Sequence, residues 1–182
     1  MANDQHSGNE IKAVLDEMRR EYWRGLEEVD HNAGKELVDY LAFVIGNENF
    51  AVPTSIAREV LRLPRQIPVP NMPEHILGVF NLRGEIIAIT DLRPIFGLPG
   101  RGIPDQGKLI VMAAAGIETA IVVERVVGTR NIILDDVEPF PEGLGGIPRD
   151  AVTGQLTEDG KLTVLLDMHQ LLSHTEFVIE QQ

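Results

Sequence analysis

The sequence predicts a mainly β fold assembled from two related halves, with short helices and one longer amphipathic helix near the N-terminus. Two observations carry this. Short runs rich in Val, Ile, Phe and Tyr recur between Gly, Pro and Asn punctuation, the pattern of strands joined by tight turns. The chain also repeats itself: "GEIIAITDLRPIF" (84–96) lies over "GKLTVLLDMHQLL" (160–172). Gly84 falls on Gly160 and Asp91 on Asp167. Apolar positions coincide at Ile86/Leu162, Ala88/Val164, Ile89/Leu165, Leu92/Met168, Ile95/Leu171 and Phe96/Leu172. The hairpin-like stretches "FVIGNENFAV" and "VMAAAGIETAI" share a layout too. Short strands with Gly and Pro turns favour small closed barrels, which leave few open sheet edges.

The elements follow in order. Ile11, Val14, Leu15, Met18, Tyr22, Leu26 and Val29 fall at helical spacing with charge between them, so an amphipathic helix is expected over 10–29. It belongs to an N-terminal extension, 1–36, that ends in the breaker "DHNAGKE". A main domain is expected over 37–176 and a tail over 177–182. "LVDYLAFVIG", "NEN" and "FAVP" read as a hairpin. "TSIAREVLRL" reads as a short helix, capped by Thr54 or Ser55, or as an extended edge. "PRQIPVPNMP" is an extended connector. "EHILGVFNL" and "EIIAIT" flank an "RGE" turn, and "DLRPIFGL" is one or two helical turns with Asp91 placed to cap them. "KLIVMAAAG" and "ETAIVVERVVGTRNI" pair around Gly116. "DDVEPFPEGLGGIPRD" is irregular. "AVTGQLT" and "LTVLLD" form a last hairpin, and "MHQLLSHTEF" closes as a helix.

Composition excludes several functions. The formal net charge of −12 disfavours nucleic-acid backbones and anionic membranes. With no cysteine, there are no disulfides, thiolate metal sites or cysteine nucleophiles. "MANDQHSGNE" lacks the basic and apolar regions of a signal peptide. No apolar run reaches the roughly 18–20 residues that span a bilayer. The expectation is a soluble cytoplasmic protein.

Catalytic chemistry finds no support. His169 and His174 share a predicted helix but stand five apart, about 140° around it, so they do not converge. Ser7, Ser55 and Ser173 are the only serines, and none lies in a nucleophile elbow. "GIPDQGK" (102–108) has the spacing of a phosphate-binding loop, but Leu109 stands where the metal-binding hydroxyl belongs, and a strand follows where a helix is needed. No enzyme, cofactor or metal site is expected. A binding or scaffold protein is.

From Leu37 to Leu172 the sequence resembles the CheW family of bacterial chemotaxis adaptors. The likeness rests on "LAFVIGNENFAVP", "IAREVLR", "IPVPNMPEHILGVFNLRGEIIAITDLR", "LIVM…AIVVERV" and "KLTVLLDMHQLL", in that order. The central block, G-V-x-N-L-R-G-x-I-x-x-x-x-D-L-R, is the most specific. The resemblance implies two interlocked five-stranded SH3-like barrels and no catalysis. It implies an adaptor that couples chemoreceptors (methyl-accepting chemotaxis proteins), through their helical cytoplasmic tips, to a CheA-like histidine kinase, recruited to receptor arrays at the inner membrane. Ala57, Glu59 and Val60 are the implied kinase-facing residues. Arg83 and Val122, with Gly78 and Gly84 shaping the backbone, are the implied receptor-facing ones. Arg83 could instead brace its turn through nearby carbonyls. The chain departs from the family's commoner pattern with Glu124 in "VERV" and Thr90 in "ITDL". An alternative is an assembly protein of a non-flagellar pathway, such as pilus motility, self-associating through the N-terminal helix.

Overall fold

The computed structural model describes residues 34–100, 102–141, 146–158 and 160–174. The chain divides after Glu36 into two units, and every strand and helix below belongs to the second. The helix expected over 10–29, the tail 177–182 and the last residues of the closing helix lie outside the described residues.

Among the described residues, ten strands form two five-stranded sheets. They are β1 (Leu37–Ile45), β2 (Glu48–Pro53), β3 (Ala57–Arg62), β4 (Ile76–Leu82), β5 (Glu85–Thr90), β6 (Lys108–Ala114), β7 (Ile117–Val123), β8 (Arg125–Ile133), β9 (Val152–Glu158) and β10 (Lys161–Leu166). Helix α1 (Arg93–Phe96) follows β5, and α2 (Met168–Ser173) follows β10. The first sheet runs β8-β1-β2-β10-β9 and the second β3-β6-β7-β5-β4. The internal repeat therefore holds in three dimensions, with an exchange. Each half contributes its opening hairpin to one sheet and its other three strands to the other. In both sheets the repeated strand pairs parallel to the second hairpin strand, β10 with β2 and β5 with β7.

Both sheets are joined end to end in the same way. Beyond β3, Ile67 forms a bridge with Val79 of β4. Beyond β8, Glu138 forms one with Gln155 of β9. The repeated aspartates match as well: the Asp91 N–H donates to the His75 carbonyl and the Asp167 N–H to that of Ala151.

Several local expectations change. "ETAIVVERVVGTRNI" is two strands in different sheets. The Glu124 N–H donates to the Val44 carbonyl (2.9 Å), which turns the chain out of the second sheet and into the first. "TSIAREVLRL" is a single 3-10 turn, Thr54–Ile56, followed by β3, and no side chain caps that turn. The Thr54 hydroxyl donates to the Asp39 carbonyl instead. Asp91 stands one residue before the N-cap of α1, which is Leu92, yet it accepts the Arg93 N–H at 3.0 Å. Asp167 is a true cap, accepting from His169 (2.9 Å) and Gln170 (3.1 Å).

Strand alternation sorts the side chains into three apolar cores. Leu41, Phe43 and Ile45 face a core shared by both sheets and both helices, where Phe50 packs between Phe43 and Phe96. Tyr40 and Ala42, on the other face of β1, line a small core inside the first sheet. Phe80, Ile87, Leu109 and Val111 fill that of the second. The Thr90 hydroxyl is accommodated by that of Thr119 (2.7 Å), which in turn donates to the Ala88 carbonyl. Thr119 has one proton, so Thr90 is the donor to it.

Burial raises the Tyr40 phenol above its ordinary 10.0; a Thr153 hydrogen bond opposes the shift and the Asp167 charge adds to it. The unfolded chain thus releases this proton at lower pH than the folded one. The resulting stability is full below pH 10.0 and is lost as pH rises through the folded value. Urea unfolding between neutral and alkaline pH should show a decline above that point, and Tyr40→Phe should flatten it.

Candidate docking surface

Strand β3 supplies the first group of predicted residues. Ala57 is half-buried against the shared core, Glu59 is half-buried, and Val60 faces outward with 44% of its surface exposed. A register shift between Ala57 and Glu59 marks a bulge within the β3–β6 ladder.

The β4–β5 hairpin supplies the second group. Its two turn residues, Arg83 (φ 54°) and Gly84 (φ 100°), both have positive φ, as a type I′ turn requires. Asn81 secures the turn by accepting the Gly84 N–H at 3.0 Å. Arginine is strained at such a position, and its side chain is 78% exposed. Its guanidinium donates to the Glu59 carboxylate at 2.9 Å. The two residues that the resemblance assigned to different partners are bonded to each other, and the pair spans β3 and the hairpin tip. Among the described residues no carbonyl takes the guanidinium, so bracing of the turn through carbonyls is not what is seen. An exposed pair of this kind contributes about 0–1 kcal/mol.

Gly78 and Val122 act from beneath. Gly78 (φ 147°) sits at a register shift in β4, and a Cβ there would lie 2.6 Å from the Ile67 carbonyl oxygen. Val122 is 1% exposed and packs in the core of the second sheet. It shapes the surface only through that core.

Beside β3 a groove of about 640 Å³ runs between the sheets. Val60, Leu63 and Val126 line it together with the charged side chains of Arg62, Asp105, Lys108, Glu124 and Arg125. Exposed apolar side chains continue around the second sheet at Leu63, Ile67, Val69 and Ile86, the last 65% exposed.

Glu124 of the groove belongs to a charged cluster that sequence reasoning missed. Arg93 is 5% exposed and Asp91 fully buried. The Arg93 guanidinium donates to both Asp91 oxygens (2.8 and 2.9 Å), to Glu124 Oε1 (3.0 Å) and to the Gly102 carbonyl. Glu124 Oε2 accepts the Gly46 N–H (2.8 Å) in the β1–β2 turn. The hydrogen bond to Asp91 holds the guanidinium pKa above its ordinary value, partly offset by desolvation. Glu124 is long enough to reach both groups at once. The sequence signal was the charged "D-L-R" directly after a buried apolar strand.

Among the described residues no cluster of His, Asp or Glu could hold a metal ion. Among them, no helix is long and apolar enough to cross a membrane.

Comparison with known proteins agrees with this arrangement. The family model for the CheW-like domain matches residues 39–176. The chain is similar to the chemotaxis protein CheW of Klebsiella aerogenes, 28% identical, with 85% of this chain and 94% of that protein covered. It is similar to CheW of Helicobacter pylori, 26% identical, with 90% and 96% covered. Among solved structures, the scaffolding protein TtCheW from Thermoanaerobacter tengcongensis superposes with a TM-score of 0.68 at 26% identity, covering 78% of this chain and 91% of that one. Two five-stranded sheets of this topology and a family match over most of the length lead to one assignment: the chain belongs to the CheW family, the non-catalytic scaffolds of chemotaxis signalling.

Proposed function

We propose that this protein joins the helical cytoplasmic tips of chemoreceptors to a CheA-like histidine kinase, with β3 turned to the kinase and the groove with the β4–β5 hairpin turned to the receptor. Each sheet, with its closing bridge, acts as a small SH3-like barrel, and the two barrels present these surfaces in fixed relation in the cytoplasm beside the receptor array. The observation that carries this reading is the surface where exposed Val60 of β3 stands next in sequence to Glu59, which is bonded to Arg83 at the β4–β5 hairpin tip. The groove beside β3 mixes Val60, Leu63 and Val126 with charged side chains, a lining suited to one face of an amphipathic helix, with the charges setting register and partner choice.

Because Arg83 and Glu59 hold each other, a partner that engages one releases the other. Both contacts thus act on one exposed pair. Ala57 supports β3 from its inner side, Gly78 and Gly84 fix the hairpin backbone, and Val122 sets the core beneath it.

Two measurements test this. Glu59→Lys and Val60→Lys, at a half-buried and an exposed position, should each weaken capture of the kinase regulatory domain about tenfold or more, with thermal unfolding nearly unchanged. Unchanged capture by both would remove β3 from the kinase surface. Arg83→Ala should cost less than about 1 kcal/mol of stability, since it loses one exposed ion pair. It should nevertheless abolish receptor-dependent kinase activation in reconstituted arrays. Full activation with Arg83→Ala would leave the hairpin tip without a docking role.

A further inference from the structure

The two barrels are built on one plan, so each inward position of one has a counterpart in the other. The strand registers identify them. Leu156–Thr163 in β9–β10 stands where Phe80–Ile87 stands in β4–β5, and Ala42–Ala51 stands where Val111–Ala120 does. Likewise Arg130, opposite Tyr40, replaces Leu61, opposite Leu109. Glu158, opposite Lys161, replaces Leu82, opposite Glu85.

In the second barrel these positions are plugged: Phe80, Ile87 and Val111 are buried, and Leu61 and Leu82 pack over them. In the first, every one of the five counterparts is shorter or charged. What remains is a well of about 150 Å³ with Tyr40, Ala42, Ala51 and Ile132 among its walls. That volume matches a cavity known to take one benzene ring. The fold does not require the well, because the same fold is filled next door.

Its mouth carries Arg125, Arg130, Lys161 and Glu158. Glu158 is engaged by Arg130. Arg125 and Lys161 make no ion pair with another described residue. On a chain of net charge −12, an apolar well with two cations at its rim that no described residue neutralises selects for negative charge. We propose that this well binds a small organic anion, a single ring-sized or branched apolar body bearing a carboxylate. The body lies against Ala42, Ala51 and Ile132, and the carboxylate meets Arg125 and Lys161. The walls of the well lie in the first barrel, away from β3 and the β4–β5 hairpin, and Arg125 alone borders both the well and the groove.

The test uses the full chain labelled with 15N and titrated with 3-phenylpropionate. Saturable shifts are expected at the amides of Ala42, Ala51 and Thr163 at millimolar concentrations. The amine analogue 3-phenylpropylamine, with the same body and opposite charge, should bind about tenfold more weakly or worse. The double variant Ala42→Val, Thr163→Ile carries the second barrel's residues and should fill the well and lose binding. Should that variant not fold, Arg125→Glu with Lys161→Glu, both at exposed positions, should keep the fold and lower affinity about tenfold. No saturable shift, equal binding of the amine, or undiminished binding in the filled or charge-reversed variant would overturn the proposal.

Discussion

Gly78→Ala is expected to destabilise the protein by about 3 kcal/mol, through two mechanisms that act at one point. The first is the backbone: φ is 147°, a region that side chains rarely adopt. The second is space. The added Cβ would meet the Ile67 carbonyl oxygen at 2.6 Å, and this is backbone that cannot swing aside. That same carbonyl accepts the Val79 N–H at 2.8 Å, while the Ile67 N–H donates to the Val79 carbonyl at 2.8 Å. Relieving the clash therefore pulls apart the bridge that joins the ends of the second sheet. Gly84→Ala serves as the control. Its φ is also positive, but nothing lies within 4 Å of the new Cβ, so only conformational strain remains, about 1 kcal/mol. Urea midpoints for both variants check the ranking. A Gly78→Ala variant as stable as Gly84→Ala would show that the bridge tolerates displacement. The consequence for function is direct: lost partner binding in Gly78→Ala reports a damaged barrel rather than a missing contact.

Arg93→Met is expected to cost about 3–5 kcal/mol, the range for removing one partner of a buried ion pair. Methionine retains much of the packing volume and removes the charge. Asp91, with no surface exposed, then loses the two guanidinium bonds that offset its desolvation. Glu124 loses the same partner at the point where the chain passes between sheets. A double-mutant cycle isolates the interaction. Asp91→Asn with Arg93→Met should be markedly less destabilised than the sum of the single variants, because it deletes the orphaned charge. Additive losses would mean that packing rather than charge pairing holds the cluster.

The repeat was legible because both halves solve the same local problem with the same residue types. Gly84 and Gly160 turn a hairpin, and Asp91 and Asp167 stand where a strand gives way to a helix. The exchange of strands between sheets was not legible in the residue pattern, and only the family resemblance implied interlocking. Alternation tells which face of a strand is buried but not which strand lies beside it, and those partners are distant in sequence. Glu124 was read through as a strand residue because a single polar position fits an alternating pattern. Its role depends on Gly46 and Arg93, far away along the chain. Arg93 was overlooked for a related reason: arginine is seldom buried, and a charge beside a helix start reads as solvated.

The site was legible in outline only. The "NLRG" turn was evident from Gly84, and Val60 is exposed. The partnership of Arg83 with Glu59 depends on how the hairpin folds back toward β3, which spacing does not record. Val122 shows the opposite limit. An apolar residue in a strand looks alike whether it ends in a core or at a groove, and here it is inside.

The exchange of strands also bears on how such a chain could arise. Neither half contains a whole sheet: the first half lacks partners for its opening hairpin, and the second lacks them for its own. A polypeptide ending after α1 could satisfy every pairing only by trading its last three strands with an identical copy. The present protein has the form of that intertwined homodimer written as one gene product. Because each sheet draws strands from both halves, its interior can be filled or left open without altering the other.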